Sequence, residues 1–130
     1  MEHVTKTKIL IFLLLMIVTG SAGQLDSLSK EILDYLWAFH PVSATYQGIH
    51  QYDTLLTDCR PTALKNRFKN INNYLKRLDA MDTLTFSTDS YVDYILLRTS
   101  LQGEIFFLDK AKSYQKNPLI YTNEAINGIY

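Results

Sequence analysis

From Leu25 onward the apolar residues return at spacings of three and four, so that Leu25, Leu28, Ile32, Leu36 and Phe39 share one helical face. The spacing predicts a first helix over residues 26–40. Asp26 or Ser27 is placed to accept from its first amides, and Pro41 forces His40 towards extended geometry and ends it. Pro41 also suits the first position of a new short helix, and Gly48 suits the left-handed residue that closes one. Residues 51–60 carry Asp53, Thr54, Thr57, Asp58 and Arg60 and read as a loop. Pro61 opens a second helix over about 61–80, where Leu64, Phe68, Ile71, Leu75 and Leu78 step by four and three. Leu84-Thr85-Phe86 reads as a brief extended stretch. Ser87 or Thr88 then caps a third helix whose face carries Tyr91, Tyr94, Ile95, Leu101, Ile105 and Leu108. Asn117-Pro118 breaks the chain, and a last helix begins near Leu119 with Ala125, Ile126, Ile129 and Tyr130 as apolar positions. The fold class is all-α.

The first residues follow a different pattern. Lys6 and Lys8 form a basic start, Ile9 to Val18 is unbroken apolar sequence, and Thr19, Gly20, Ser21, Ala22 and Gly23 supply small residues before Gln24. This is the pattern of a secretory signal peptide over 1–23, which places the mature protein, 24–130, outside the cytoplasm, in the periplasm or the extracellular space. Ten apolar residues fall well short of the roughly 20 that span a hydrocarbon core, so no stable membrane span is expected after cleavage. Amino-terminal sequencing of secreted material is expected to begin at or next to Gln24. Recovery of intact Met1 in a membrane fraction would refute the cleavage.

Past residue 23 the chain carries eleven Lys and Arg against twelve Asp and Glu, a net charge near −1. Such balance argues against nucleic acid, because phosphate binding needs a basic face. Lys65, Arg67, Lys69, Lys76 and Arg77 are the densest basic cluster, and they read as the solvated face of the second helix. Cys59 is the only cysteine, which rules out an internal disulfide and a cysteine-based metal knuckle.

Candidate chemistry is sparse. A zinc site on one helix needs His at i and i+4 with a Glu beside the first, and nothing here has that spacing. His40 and His50 are separated by a proline and a glycine and read as packing or capping residues. Glu104 and Asp109 lie on the third helix with no His near in sequence, so a site there would have to borrow ligands from another element. The carboxylate pairs Asp89/Asp93 and Asp79/Asp82 sit at helix ends in polar surroundings, where neither member is desolvated enough to act as a general acid. No G-x-S-x-G elbow, P-loop or dinucleotide glycine pattern occurs. Nine tyrosines, six phenylalanines and one tryptophan make the chain aromatic, but most of the rings fall at helical-period positions and read as core. Trp37 lies off the stripe of the first helix, which leaves it free to pack on a neighbouring domain; core or interdomain packing is the default reading for the rings.

Two runs carry a likeness. Pro41-Val42-Ser43-Ala44-Thr45-Tyr46-Gln47-Gly48-Ile49-His50-Gln51-Tyr52-Asp53 follows the first helix and is answered by Asn117-Pro118-Leu119-Ile120-Tyr121. Together they resemble the start of the mostly bacterial family known as domain of unknown function 885: a helix, P-x-x-A-T-x-x-G-x-H-x-Y-D, two helices, then N-P-L-x-Y. The likeness is collinear over about 28–130. Full-length members look like exported or cytosolic zinc peptidases of mostly helical architecture, with a His-Glu and a further His on a helix far downstream.

The resemblance implies that residues 24–130 are the amino-terminal, non-catalytic helical segment of a larger peptidase-like fold. No catalytic residue, metal ligand or cofactor is then expected in this chain. Zinc and a peptide substrate belong to the full-length protein, and the partner of this segment is the carboxy-terminal part of the same protein. Pro41, Ala44, Thr45, Gly48, His50, Tyr52, Asp53, Asn117, Pro118 and Tyr121 are the motif residues, read as structural, with Thr45 bonding back to a helix carbonyl and His50 bridging the turn to another helix. The alternative is a stand-alone secreted helical binding module without catalytic activity. Helices this few cannot hide every apolar face they carry, which favours the fragment.

Overall fold

A computed structural model describes residues 23–128; the signal-peptide expectation for residues before 23 and the apolar positions Ile129 and Tyr130 lie outside them. The elements are α1 (residues 23–39), α2 (Pro41–Tyr46), α3 (Pro61–Asp79), α4 (Thr88–Ile105), α5 (Ser113–Lys116) and α6 (Leu119–Asn127), with 3-10 turns at His50–Tyr52 and Thr83–Thr85 and a π turn at Phe106–Lys110. The described residues are all-α, with no strand among them.

Cross-helix bonds give the topology. Glu31 takes a two-oxygen bond from Arg77 at 2.7 and 2.6 Å, and the Tyr35 and Tyr74 rings meet at 5.3 Å, so α1 and α3 run antiparallel. Asp79 accepts from Arg98 at 2.8 Å and Glu104 from Arg67, which makes α3 and α4 antiparallel as well. The result is an up, down, up bundle. Its core holds Leu25, Leu28 and Ile32 from α1, Ile71 and Leu78 from α3, and Tyr94, Leu97 and Leu101 from α4. Apart from the Thr83–Thr85 turn, which joins α3 to α4 at the other end, the small elements lie at the end of the bundle where α1 finishes and α3 begins.

Local chemistry sets the boundaries. Pro41 stands at the first position of α2, and Gly48 takes φ 78° directly after it, the left-handed conformation that glycine adopts without Cβ strain. Ser87 caps α4 by accepting from the Ser90 amide at 3.1 Å. Changing Ser87 to alanine removes that acceptor, and thermal melts are expected to report a loss of about 1 kcal/mol. An unchanged melt would mean that the α4 amides are satisfied another way.

Several expectations need correction. The first helix is already formed at residue 23, so Asp26 and Ser27 lie inside it and do not cap it. Leu84 and Thr85 do not extend; the Asp82 carboxylate accepts from the Leu84 amide at 3.1 Å and winds the segment into a 3-10 turn. Phe68, Tyr91 and Ile95 are exposed: the buried stripes keep Ile71 and Leu78 on α3 and Tyr94 and Leu101 on α4, and take in Arg67 and Leu97 instead. Trp37 is half-buried and lines an open groove with Leu33 and Leu36 of α1 and Leu96 and Leu97 of α4, which leaves part of its ring uncovered. No helix among the described residues is long and apolar enough to cross a membrane.

Candidate functional site

The densest polar constellation in the interior joins one side chain from each long segment. Its centre is Arg67, which is only 1% exposed. At this one residue the reading of a solvated basic face fails, while Lys65, Lys69, Lys76 and Arg77 are exposed. Leu64, Arg67, Ile71, Tyr74 and Leu78 follow one another at three and four, and Arg67 stands at a core position of that series.

Arg67 donates through Nε (3.0 Å) and Nη2 (2.6 Å), both to Oε2 of Glu104, leaving Oε1 to face the His40 Nε2 at 3.1 Å. The guanidinium lies 3.7 Å from the Phe39 ring centroid, and Tyr35 lies 5.5 Å away on the same side chain. Both are cation–π contacts made in a desolvated place, where such contacts are strongest. Nη1 is buried without a hydrogen-bond partner.

His40 Nε2 is also 3.1 Å from Arg67 Nη2. Arginine only donates and an ionised carboxylate only accepts. The imidazole nitrogen therefore serves one neighbour at a time, donating to Glu104 when it carries a proton and accepting from Arg67 when it does not. Burial pushes the Glu104 carboxyl up, but the hydrogen bond from His40 and the Arg67 charge outweigh it and hold the group at about 2. Tyr114 packs edge-on to Phe39 at 6.3 Å, and burial with the nearby Glu104 charge raises its phenol to about 12.

These groups pin helices together and are poorly suited to turnover. Glu104 stays ionised and Tyr114 stays protonated. Zinc does not fit, since a cation bound by His40 and Glu104 would have to share the place with the guanidinium, 3.1 and 2.6 Å from the two would-be ligands. Among the described residues no three of His, Cys, Asp and Glu converge as metal ligands. Glu104 does find its partners on other elements, as its isolation in sequence required.

The motif residues form a second, exposed constellation. Thr45 Oγ1 donates to the Pro41 carbonyl at 3.1 Å and to Asp53 Oδ1 at 2.6 Å. His50 does not reach another helix; its Nδ1 meets Asp53 Oδ2 at 3.0 Å inside the turn. The hydrogen bond from Thr45, with a smaller contribution from His50, holds the Asp53 carboxyl below the usual range. Pro41 and Ala44 are buried under the turn, and the Tyr52 hydroxyl donates to the Asp34 carbonyl at 3.2 Å, tying the turn to α1. At the far end Asn117 Oδ1 accepts from the Leu119 amide at 3.1 Å, Pro118 precedes α6, and Tyr121 donates to the Tyr114 carbonyl. The two runs do not meet in one site.

Cys59 is half-buried, and burial, helped by the Glu124 and Asp58 charges, raises its thiol above the ordinary value. That environment disfavours the thiolate and with it nucleophilic chemistry. Compared with known proteins, the chain matches no family model, no curated protein and no solved structure.

Proposed function

We propose that this chain is the non-catalytic, amino-terminal helical part of an exported protein resembling the family 885 zinc peptidases, and that the polypeptide that follows completes its bundle. The observation that carries the reading is α4. Its inward side is buried at Tyr94, Leu97 and Leu101, and beside that packed face two further apolar residues stand open, Val92 50% and Leu96 63% exposed, while Asp89, Asp93 and Thr99 keep the rest of the helix polar. Apolar residues left uncovered beside a packed face favour a larger core that would cover them. In the full-length protein, zinc bound to downstream ligands would supply an activated water for peptide cleavage, and these helices would wall the groove. A stand-alone secreted binding module is the alternative, favoured by the closed core among α1, α3 and α4.

The test compares the chain alone with the chain extended by its downstream coding sequence. The extended protein is expected to hold zinc, cleave peptides and bind less of a hydrophobic dye, while the chain alone holds no stoichiometric zinc, cleaves nothing and binds the dye. A sharp cooperative melt of the chain alone with no dye binding would sink the fragment reading in favour of the module.

A further inference from the structure

A cavity of about 340 Å³ opens between the start of α3, the π turn, α5 and α6, on a side of the molecule that the proposed function leaves unused. Leu64 and Phe68 form one wall, Leu108 and the rings of Tyr114 and Tyr121 the others. Such a lining suits a flat apolar group. Small-molecule sites are apolar pockets of this size with a few placed polar groups.

The polar groups at its edge carry a definite sign. Lys65 and Lys112 both line it, and neither forms an ion pair with any described residue. Asp109 lines it too, but its carboxylate is already matched by Lys110 at 3.0 Å. Cys59 adds a protonated thiol, so the rim is net positive.

Lys112 gives an independent reason to look here. Its φ is +50°, and it is the one non-glycine residue with positive φ among the described residues. A lysine gains nothing from that conformation, which glycine would take without strain, and backbone strain of this kind gathers at functional sites. The left-handed turn stops the π turn and starts α5, and it sets the Lys112 side chain on the cavity edge.

We propose that this cavity binds a small aromatic monocarboxylate, its ring among Leu64, Phe68, Leu108 and Tyr121 and its carboxylate met by Lys65 and Lys112. The two ammonium groups supply the charge-assisted bonds that select an acid over an amine or alcohol of the same shape. Arginine at 112 would preserve this; glycine would not.

The experiment titrates the full chain, labelled with nitrogen-15, with phenylacetate and separately with phenethylamine, reading amide shifts. Phenylacetate is expected to shift residues 62–68, 108–115 and 121 and to bind at least tenfold tighter than the amine. Lys112→Gly should weaken phenylacetate about tenfold, the worth of one charge-assisted bond. It should do so with a melting temperature no lower than the parent's, because it relieves the left-handed strain. Lys112→Arg should retain the affinity. Equal binding of acid and amine would overturn the proposal, as would shifts centred on the α1 and α4 groove, or an undiminished affinity in a folded Lys112→Gly protein.

Discussion

Replacing Arg67 by alanine is expected to cost about 3–5 kcal/mol, a large share of a small domain's net stability of about 5–15 kcal/mol. The loss has three parts. Glu104, with its side chain 22% exposed, keeps its charge in the interior and loses both bonds to Oε2. The Phe39 ring loses the guanidinium stacked on it at 3.7 Å, and the place left by a long buried side chain becomes a cavity. A control separates the charge from the volume. The double change Arg67→Met with Glu104→Leu removes both charges while keeping most of the bulk, and it is expected to fall within about 1 kcal/mol of the parent or above it. Urea melts of the parent, both single variants and the double variant give the coupling directly. A loss below about 1 kcal/mol in Arg67→Ala would mean that the guanidinium is not withdrawn from water as described.

Acid is expected to melt the bundle in a defined window. The folded Glu104 carboxyl sits at about 2 against an ordinary 4.5, so the native state takes up its proton later than the unfolded chain does. Stability from this source is fully present above about pH 4.5, declines as the pH falls, and is gone below about 2. The gap corresponds to about 3 kcal/mol. Asp58 is also held to about 2, but by Arg60, two residues along the chain and itself exposed, a pairing that the unfolded chain can partly keep. Melts of the parent and of Glu104→Gln between pH 5 and 2 isolate the term. The parent should lose stability more steeply than the variant, and parallel curves would refute the assignment to Glu104.

Periodicity made the three long helices legible, because Leu25, Leu28, Ile32, Ile71, Leu78, Tyr94 and Leu101 fall on the faces that their spacing marks and are buried there. Proline and glycine marked the joints at 41, 48 and 61 for reasons of backbone geometry that need no tertiary context. The interior ion cluster was hidden for the opposite reason. An arginine within a run that also holds Lys65 and Lys69 looks solvated, and which of two adjacent stripes turns inward is decided by the neighbouring helices. One signal was available: Arg67 and Glu104 each interrupt a three-four series of apolar residues, and they carry opposite signs. Two lone charges at core positions of consecutive helices announce a pair. The 3-10 turn at Thr83–Thr85 was misread because Thr85 and Phe86 favour extended backbone, whereas the Asp82 carboxylate bonding to the Leu84 amide wound the segment instead.

The end of the bundle that holds Arg67 also fixes how far α3 can slide along α4. Leucine layers look alike to one another, so two antiparallel helices lined with Leu78, Leu97 and Leu101 would tolerate slippage by a heptad at small cost. Slipping one way brings Arg67 opposite Leu97; slipping the other way brings Glu104 opposite Tyr74. Either shift strands a charge among apolar side chains without its counter-ion, a penalty far larger than any gained contact. A single charged layer thus sets the register of the whole bundle, as a lone buried polar residue does in a coiled coil.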